Sequence, residues 1–264
     1  FADYDFEGST ISNILDLLAY NTYYNSIYTN MASNEMFLDS AQVRSNVVSR
    51  AKMLGYTPSS ARGATATIQV NITPRSTTDT ITIAKNTQFT STVDGIEYKF
   101  VTPEAFSIGK VGTATVHSAN ISITEGESLT HRFTVGSANT RYILPNENID
   151  LTSLAVSVQT SSSNTTTITH TKADDINAVY ANSTIYFCQE TENQEYELLF
   201  GDGVIGKALT TGNIIIADYR VCHGELLNGA AVFTAPATLG GESNFTFSTS
   251  AAAIAGANRE SIEG

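Results

Sequence analysis

The spacing of apolar residues changes near residue 60, and the chain before that point has helical period. Apolar side chains recur there at three- and four-residue steps, which predicts an α-helix capped by Ser9 or Thr10. Leu17 and Tyr20 lie off the main apolar stripe, so the helix is apolar on more than one side. Such a helix suits neighbours on several sides better than a single core. The residues that we expect to bind partner helices are Ile14, Leu15, Leu17, Leu18, Tyr20, Tyr24, Ile27 and Tyr28. Ordinary core packing accounts equally well for the tyrosine series.

A second, shorter helix is predicted after a tight link over residues 35–38. Asp39 or Ser40 can cap its first turn, while Gly55 suits the position just past its end and Pro58 bars continuation. Its expected apolar face consists of Val43, Val47, Val48, Ala51 and Leu54.

From about Gly63 the apolar period becomes two, as in β-strands, and no long helical window interrupts it. Hairpins and antiparallel sheets are therefore expected rather than parallel βαβ units. Asp94-Gly95 is a typical hairpin turn, and the polar stretch 160–171 predicts a loop or an edge hairpin. In the run 214–221 one face carries Ile215, Ala217, Tyr219 and Val221.

These patterns predict a mainly β protein with an N-terminal α-helical arm, multidomain and elongated, built from antiparallel sheets and hairpins. The arm covers residues 1–62 and the β-rich body residues 63–240, with room for two subdomains divided near 125–145. Residues 241–264 are rich in small side chains and leave the strand pattern. We interpret them as a linker into a C-terminal region that this chain lacks.

Charge narrows the range of partners. The formal net charge is −12 and the isoelectric point is about 4.6, whereas nucleic acids and anionic membranes need a basic face. The nearest basic group is typical of a solvated face and consists of Arg44, Arg50, Lys52 and Arg62. We expect no nucleic-acid partner. No apolar run approaches the ~20 residues of a transmembrane helix, so no membrane-spanning segment is expected.

The two cysteines, Cys188 and Cys222, each lie in an apolar, strand-like run. Both are expected to be small buried hydrophobic residues. A zinc site would need His170 or His223 as well, but the chain has no paired C-x-x-C or H-x-x-x-H spacing. We therefore expect no metal and no cofactor.

The stretch LLFGDGVIGKAL, residues 198–209, has the spacing G-x-G-x-x-G and stops one residue short of a phosphate-binding loop. A strand precedes it, but the five residues up to the next turn are too few for the helix that would hold a phosphate. Ala208 also stands where such a loop needs a hydroxyl. We interpret the stretch as a strand, an Asp202-Gly203 turn, a short return strand and a second turn. The residues with this structural role are Gly201, Asp202, Gly203, Gly206, Gly212 and Asn213.

Four glutamates precede this loop at positions 190, 192, 195 and 197. Paired carboxylates catalyse proton transfer when their surroundings separate their pKa values, and nothing in the sequence surrounds one of them with apolar residues. A polar hairpin loop is the simpler interpretation. No serine lies in G-x-S-x-G, so the chain is not expected to be an enzyme.

Three segments resemble the baseplate wedge proteins of contractile-tailed, T4-like bacteriophages, of the gene product six type and the baseplate-J-like family. They are residues 14–63, 142–158 and 185–233, in the order of the family. The most specific part is Phe200-Gly201-Asp202-Gly203 with Gly206, Gly212-Asn213 and Tyr219.

The resemblance implies a structural protein of the phage tail baseplate in the virion, assembled in the host cytoplasm. It further implies N-terminal helices that bundle with a second copy of the chain and with another wedge protein. Neighbouring baseplate, hub and tail-tube or sheath-initiating proteins would be further partners, and the baseplate would rearrange when the tail contracts.

Two other functions stay open from the residues alone. Abundant Tyr, Asn and Thr suit a carbohydrate-binding or adhesin-like β domain of a tail or surface protein. The glycine loop and the glutamate cluster are the sole indications of a nucleotide-dependent or glycoside-cleaving enzyme.

Overall fold

A computed structural model describes residues 10–74, 79–110, 116–136, 141–173, 179–191 and 193–262. The chain divides into two compact units, residues 1–57 with 262–264, and residues 58–261. Helices make up the first unit, and the described part of the second contains fourteen strands, nearly all of them paired antiparallel. The expected fold class, mainly β with an N-terminal helical arm and antiparallel sheets, is confirmed.

The helical unit consists of α1 (Thr10–Asn34) and α2 (Arg44–Met53). Gly55 follows α2 with φ +80°, and its N–H donates to the Lys52 carbonyl at 3.0 Å, so it ends the helix as predicted. The expected apolar face of α2 is only partly buried. Val48 and Ala51 are buried, whereas Val43 and Leu54 are 42% and 75% exposed.

The predicted cap of α2 is wrong, because Val43 is the N-cap residue and makes no side-chain capping bond. The Glu35 carboxylate, which directly follows α1, caps the start of α2 instead. Its Oε1 accepts the N–H groups of Gln42 at 2.9 Å and Val43 at 3.2 Å, and its Oε2 accepts the Asn46 side chain at 2.8 Å. A carboxylate at a helix N-terminus satisfies otherwise unpaired N–H groups and complements the helix dipole.

The first sheet of the β body has the strand order β14-β1-β6-β4-β3. Strand β1 buries alternate residues, among them Ile68, Val70 and Ile72, as period two requires. They pack with Phe89, Phe100 and other apolar side chains into one core. The strands of this sheet and of the small β2–β5 sheet beside it are β1 (Thr65–Ile72), β2 (Thr80–Ile83), β3 (Gln88–Val93), β4 (Ile96–Val101), β5 (Phe106–Gly109), β6 (His117–Glu125) and β14 (Phe245–Ile254).

The second sheet has the strand order β7-β13-β9-β10-β11-β12-β8. Its strands are β7 (Glu127–Thr134), β8 (Tyr142–Leu144), β9 (Ile149–Ser161), β10 (Asn164–Lys172), β11 (Ile185–Glu190), β12 (Tyr196–Phe200) and β13 (Ile214–Val221). Strands β10 and β11 pair in parallel through Thr171 and Lys172, and the other pairs are antiparallel. The predicted face of β13 is confirmed, since Ile215, Ala217 and Tyr219 are buried in the core of this sheet.

Two hairpins follow from local sequence. Asp94 and Gly95 have φ of +51° and +79° and join β3 to β4 in the primed geometry that suits twisted strands. The polar stretch 160–171 lies in the β9–β10 hairpin, where Asn164 pairs with Ser161. Of the two structures expected for this stretch, the hairpin is the one that forms.

The chain passes from the first sheet to the second at Gly126, between β6 and β7. Gly126 has φ +125°, and a Cβ there would lie 2.6 Å from Arg220 Cγ. After β13 the chain returns to the first sheet as β14, which pairs with β1 over most of its length. The expectation that residues 241–264 leave the strand pattern is therefore wrong for residues 245–254. One cut near 125–145 would not separate the two cores, because β14 belongs to the first.

Candidate functional site

Helix α1 exposes its apolar residues on every side. Leu17 is 67% exposed and Tyr24, the least exposed of the predicted contact residues, is 36% exposed. In its 25 residues the helix carries one charged side chain, Asp16. A helix surrounded by water normally carries charges on the side away from its core. The other predicted contact residues are all at least 41% exposed: Ile14, Leu15, Leu18, Tyr20, Ile27 and Tyr28.

The tyrosines of α1 contact one another along the helix. The Tyr20 and Tyr24 hydroxyls lie 2.9 Å apart, and their ring centroids lie 4.5 Å apart. The hydrogen bond with Tyr24 raises the pKa of Tyr20, with a smaller contribution from desolvation. Tyr24 also lies 6.2 Å from Tyr28, measured between ring centroids. Tyr20 and Tyr28 stay 61% and 63% exposed and Tyr24 36%, so within the helical unit these tyrosines do not form the buried core that was the alternative expectation.

A groove of about 470 Å³ lies between the end of α1 and α2. Its lining combines apolar residues with Glu35 and Arg50, and Arg50 donates from Nε to the Glu35 carbonyl at 3.1 Å. The helical unit therefore offers two kinds of surface, the open sides of α1 and a groove with polar groups at one end. The apolar lining residues are Tyr28, Met31, Ala32, Met36 and Val43.

In the glycine-rich loop after β12, backbone N–H groups form hydrogen bonds with acceptors of the same loop. Asp202 Oδ1 accepts the N–H groups of Val204 and Ile205, each at 2.9 Å. These two bonds, with Ile205 contributing most, lower the pKa of Asp202. The Gly203 N–H donates to the Gly206 carbonyl at 3.0 Å. A carboxylate thus occupies the position in which a phosphate-binding loop would hold its anion.

Two further N–H groups of this loop also have partners. Gly206 donates to the Tyr180 carbonyl at 3.2 Å and Lys207 to the Ser183 carbonyl at 2.9 Å. A side chain on Gly201 would place Cβ 2.2 Å from the Gly206 carbonyl carbon, so the loop closes tightly on itself. Because a phosphate loop needs free N–H groups, this geometry does not suit a nucleotide.

The expected return strand after Asp202-Gly203 does not form. Ala208 instead makes an isolated parallel bridge with Gly201, and a turn over residues 210–213 leads directly into β13. Gly212 has φ +91° in that turn. Asn213 is buried, and its side chain accepts from the Thr210 N–H at 2.9 Å and donates to the Thr160 carbonyl at 2.8 Å. No helix follows Gly206 before β13 begins at Ile214.

The glutamates around the β11–β12 hairpin are not all solvated. Glu190 and Glu197 are 3% exposed, which corrects the expectation of a wholly polar loop, and Glu192 lies outside the described residues. Glu197 receives a bidentate pair of bonds from Arg141 at 2.7 and 2.9 Å. Such a pairing stabilises the carboxylate as an anion in a structural role.

The residues considered for zinc do not come together. Within the described ranges, no group of three or more His, Cys, Asp or Glu side chains could hold a metal ion. Cys222 is 1% exposed, and desolvation raises the pKa of its thiol to about 11, as suits a buried, unreactive cysteine. His223 Nδ1 lies 2.7 Å from Glu125 Oε1, a contact between β6 and the end of β13 that the sequence did not indicate. None of the helices that the structure describes has the length and apolar character needed to cross a membrane.

Sequence reasoning missed one further cluster, a charged cleft in the β body around Asp150 and Arg220. These two residues are seventy positions apart, and each lies beside apolar strand residues whose pattern predicts a core. Only the register of β13 on β9, which pairs Arg220 with Asp150, brings them together.

The large apolar residues exposed around α1 are typical of the class of assembly proteins, whose helices pack against other chains. Residues 1–56 match the family described as the helical domain of baseplate wedge protein gp6-like. The chain is also 29% identical over 257 residues to the baseplate wedge protein gp6 of Enterobacteria phage T4. This match covers 90% of the chain but 38% of that relative. The resemblance to gp6-type baseplate wedge proteins is confirmed.

Proposed function

We propose that the chain is a structural part of a contractile-tail baseplate wedge and that α1 docks between helices of other chains. The observation that carries this proposal is the exposure of apolar residues around α1. Leu15 and Leu18 lie on one stripe and are 51% and 54% exposed, while Leu17 and Tyr20 lie on another and are 67% and 61% exposed. One neighbouring surface would cover one stripe, so two stripes call for a bundle.

Burial of these residues supplies the driving force for assembly. Fully burying a leucine side chain contributes roughly 1.5–3 kcal/mol, and part of that is already realised on a half-exposed helix. Several such residues together outweigh the cost of ordering two chains against each other. The partners that fit best are a second copy of the same helical unit and a helix of another wedge protein, both in the virion.

The β body acts in this proposal as a scaffold rather than as a catalyst. The buried residues of its two cores all belong to the body itself. The T4 relative is described as a baseplate wedge protein, a structural name, and this supports a non-enzymatic role. The body would connect the bundle to neighbouring baseplate, hub and tail proteins and move with them when the tail contracts.

The test places charge on both stripes of α1 with the double substitution Leu15→Asp/Leu17→Asp. We expect the variant to lose co-purification with the wedge partner, because two aspartates cannot be buried unpaired in an apolar bundle. Circular dichroism and thermal unfolding of the β body should stay unchanged, since its cores lie within residues 58–261.

Ser26→Asp/Asn30→Asp is the matched control, because it adds the same charge at polar, exposed positions of the same helix. This control should still assemble. If the leucine variant also assembles, or if its β body unfolds, the bundle proposal is wrong and α1 serves this chain alone.

A further inference from the structure

A cleft of about 420 Å³ opens in the β body where residues of both sheets meet. Its wall is rich in hydroxyl groups and in charges of both signs. The hydroxyl-bearing side chains come from β1, β6, β7 and β9, and they are Thr65, Thr124, Ser128, Thr130, Thr152 and Ser153. The charged residues are Arg62, Lys85, Asp150, Asp218 and Arg220. A volume of this size is typical of small-ligand sites.

The floor of the cleft is a buried ion pair. Arg220 Nη2 donates to Asp150 Oδ2 at 2.9 Å, with the two side chains 9% and 0% exposed. The other oxygen of Asp150 accepts the Thr152 N–H at 3.0 Å and also the Thr152 hydroxyl, so both oxygens of this carboxylate have partners. The guanidinium is not fully used, because its Nε has no partner in the part of the chain that the structure describes. Buried polar groups are rarely left unpaired, and Arg220 is one of the residues that line the cleft.

Two further cationic residues, Arg62 and Lys85, line the cleft, and hydrogen bonds hold the backbone at or beside each in place. Arg62 exchanges two backbone hydrogen bonds with Ala257, at 2.8 and 3.0 Å. Lys85 precedes Asn86, whose Oδ1 accepts the Ser128 hydroxyl at 2.9 Å and so ties this loop to β7. Both cationic side chains are exposed, and neither makes a hydrogen bond or ion pair with any residue that the structure describes.

The charges of the cleft do not cancel. Asp150 neutralises Arg220, and Asp218, which accepts the Thr130 hydroxyl, can offset one of the two remaining cations. One positive charge is left over in a chain whose formal net charge is −12. A cationic spot in an acidic protein attracts an anion.

We propose that this cleft is a binding site for a single carboxylate group, held by Arg62 and Lys85 at its mouth. A monoanion matches the single excess charge, whereas a phosphate dianion would meet the Asp218 carboxylate with a second negative charge. A neutral sugar would lack an aromatic platform, since Tyr219, the aromatic residue of the lining, is 3% exposed. The site does not depend on the wedge role, so either can fail without the other.

The carboxylate can come from a free small acid or from an Asp or Glu side chain of another polypeptide. Amide NMR of the ¹⁵N-labelled chain, at constant ionic strength, distinguishes the two sources with acetate and an end-blocked Gly-Glu-Gly tripeptide. We expect saturable shifts at Ser128, Thr152 and Arg220, with dissociation constants on the order of 1–10 mM. Equal affinities would identify a small acid as the ligand, and tighter binding of the tripeptide would identify an acidic side chain.

Variants that each remove one positive charge test whether the NMR shifts arise from binding in the cleft. Lys85→Gln and Arg62→Gln should each weaken binding by about tenfold, the loss of one charge-assisted contact, and neither replaces a buried residue. Lys207→Gln removes an exposed cation from the glycine loop and should leave binding unchanged. Three results would overturn the proposal: no saturable shift, equal binding of the Gly-Gln-Gly analogue, or tighter binding of inorganic phosphate than of acetate.

Discussion

Single residues decide the structure of the glycine-rich loop, and Asp202 and Gly203 show how. The sequence predicted a turn at this pair, but the turn differs from a two-residue hairpin. Asp202 receives two N–H groups from the residues after it, and Gly203 has φ +92°. The pattern of glycines indicated where the backbone bends, whereas the partners of the Gly206 and Lys207 N–H groups lie in the Tyr180–Ser183 segment. That segment is close in space and distant in sequence.

Replacing Gly203 by valine should destabilise the body by ~1–3 kcal/mol, because a β-branched residue is strained at positive φ. A Cβ there meets the Ala208 Cβ at 3.7 Å, which is ordinary contact, so the strain comes from the backbone alone. Asp202→Asn should have a small effect, since an amide oxygen can accept the same two N–H groups. Chemical denaturation of both variants measures the difference. A large loss from Asp202→Asn beside a small loss from Gly203→Val would indicate a charge-dependent site instead.

At the scale of elements, periodicity predicted the helices and the alternating strands, and it failed where a distant residue acts on an element's end. Helix α2 is the clear example, because Glu35 lies eight residues before Val43 and closes its first turn. The sequence predicted Asp39 or Ser40 as the cap. Both are typical capping residue types, but they precede the actual N-cap position, Val43. The charged cleft was missed for a similar reason, since it depends on the register between β9 and β13.

The Glu35 contact makes the start of α2 sensitive to pH. The Asn46 side chain first, and then the Gln42 N–H, lower the pKa of Glu35. A carboxyl group whose pKa is depressed in the folded state stabilises that state above its unfolded pKa of about 4.5 and loses this effect as pH falls through the folded value. We therefore expect the amides of residues 42–46 to lose protection from hydrogen exchange as the pH falls through the pKa of Glu35 in the folded state.

Glu35→Gln is the informative variant, because it keeps an acceptor oxygen and removes the charge. It should retain α2 at neutral pH and abolish the pH dependence, while Glu35→Ala should fray the first turn at every pH. An unchanged pH response in Glu35→Gln would assign the titration to another group.

At the scale of the whole molecule, the order of strands along the chain determines how the body can be divided. The first core needs β14, which arrives after the second sheet is complete. Sequence reasoning treated residues 241–264 as a linker because Ser, Thr and Ala side chains give a weak alternation. A strand with small residues still forms when its neighbour β1 offers a full row of backbone partners.

Ala253 and Ile254 test whether β14 is an integral strand, since they are neighbours with opposite surroundings. Ala253 is 0% exposed in the first core, and its N–H and carbonyl bond to Ala230 and Gly229, whereas Ile254 is 65% exposed. Ala253→Asp should lower the free energy of unfolding by about 3 kcal/mol or more, because it buries an unpaired charge, and Ile254→Asp should change it by less than about 0.5 kcal/mol. Thermal and urea unfolding of the full chain measure both. If residues 241–264 behaved as a linker, the two variants would unfold alike, and the assignment of β14 to the first core would be wrong.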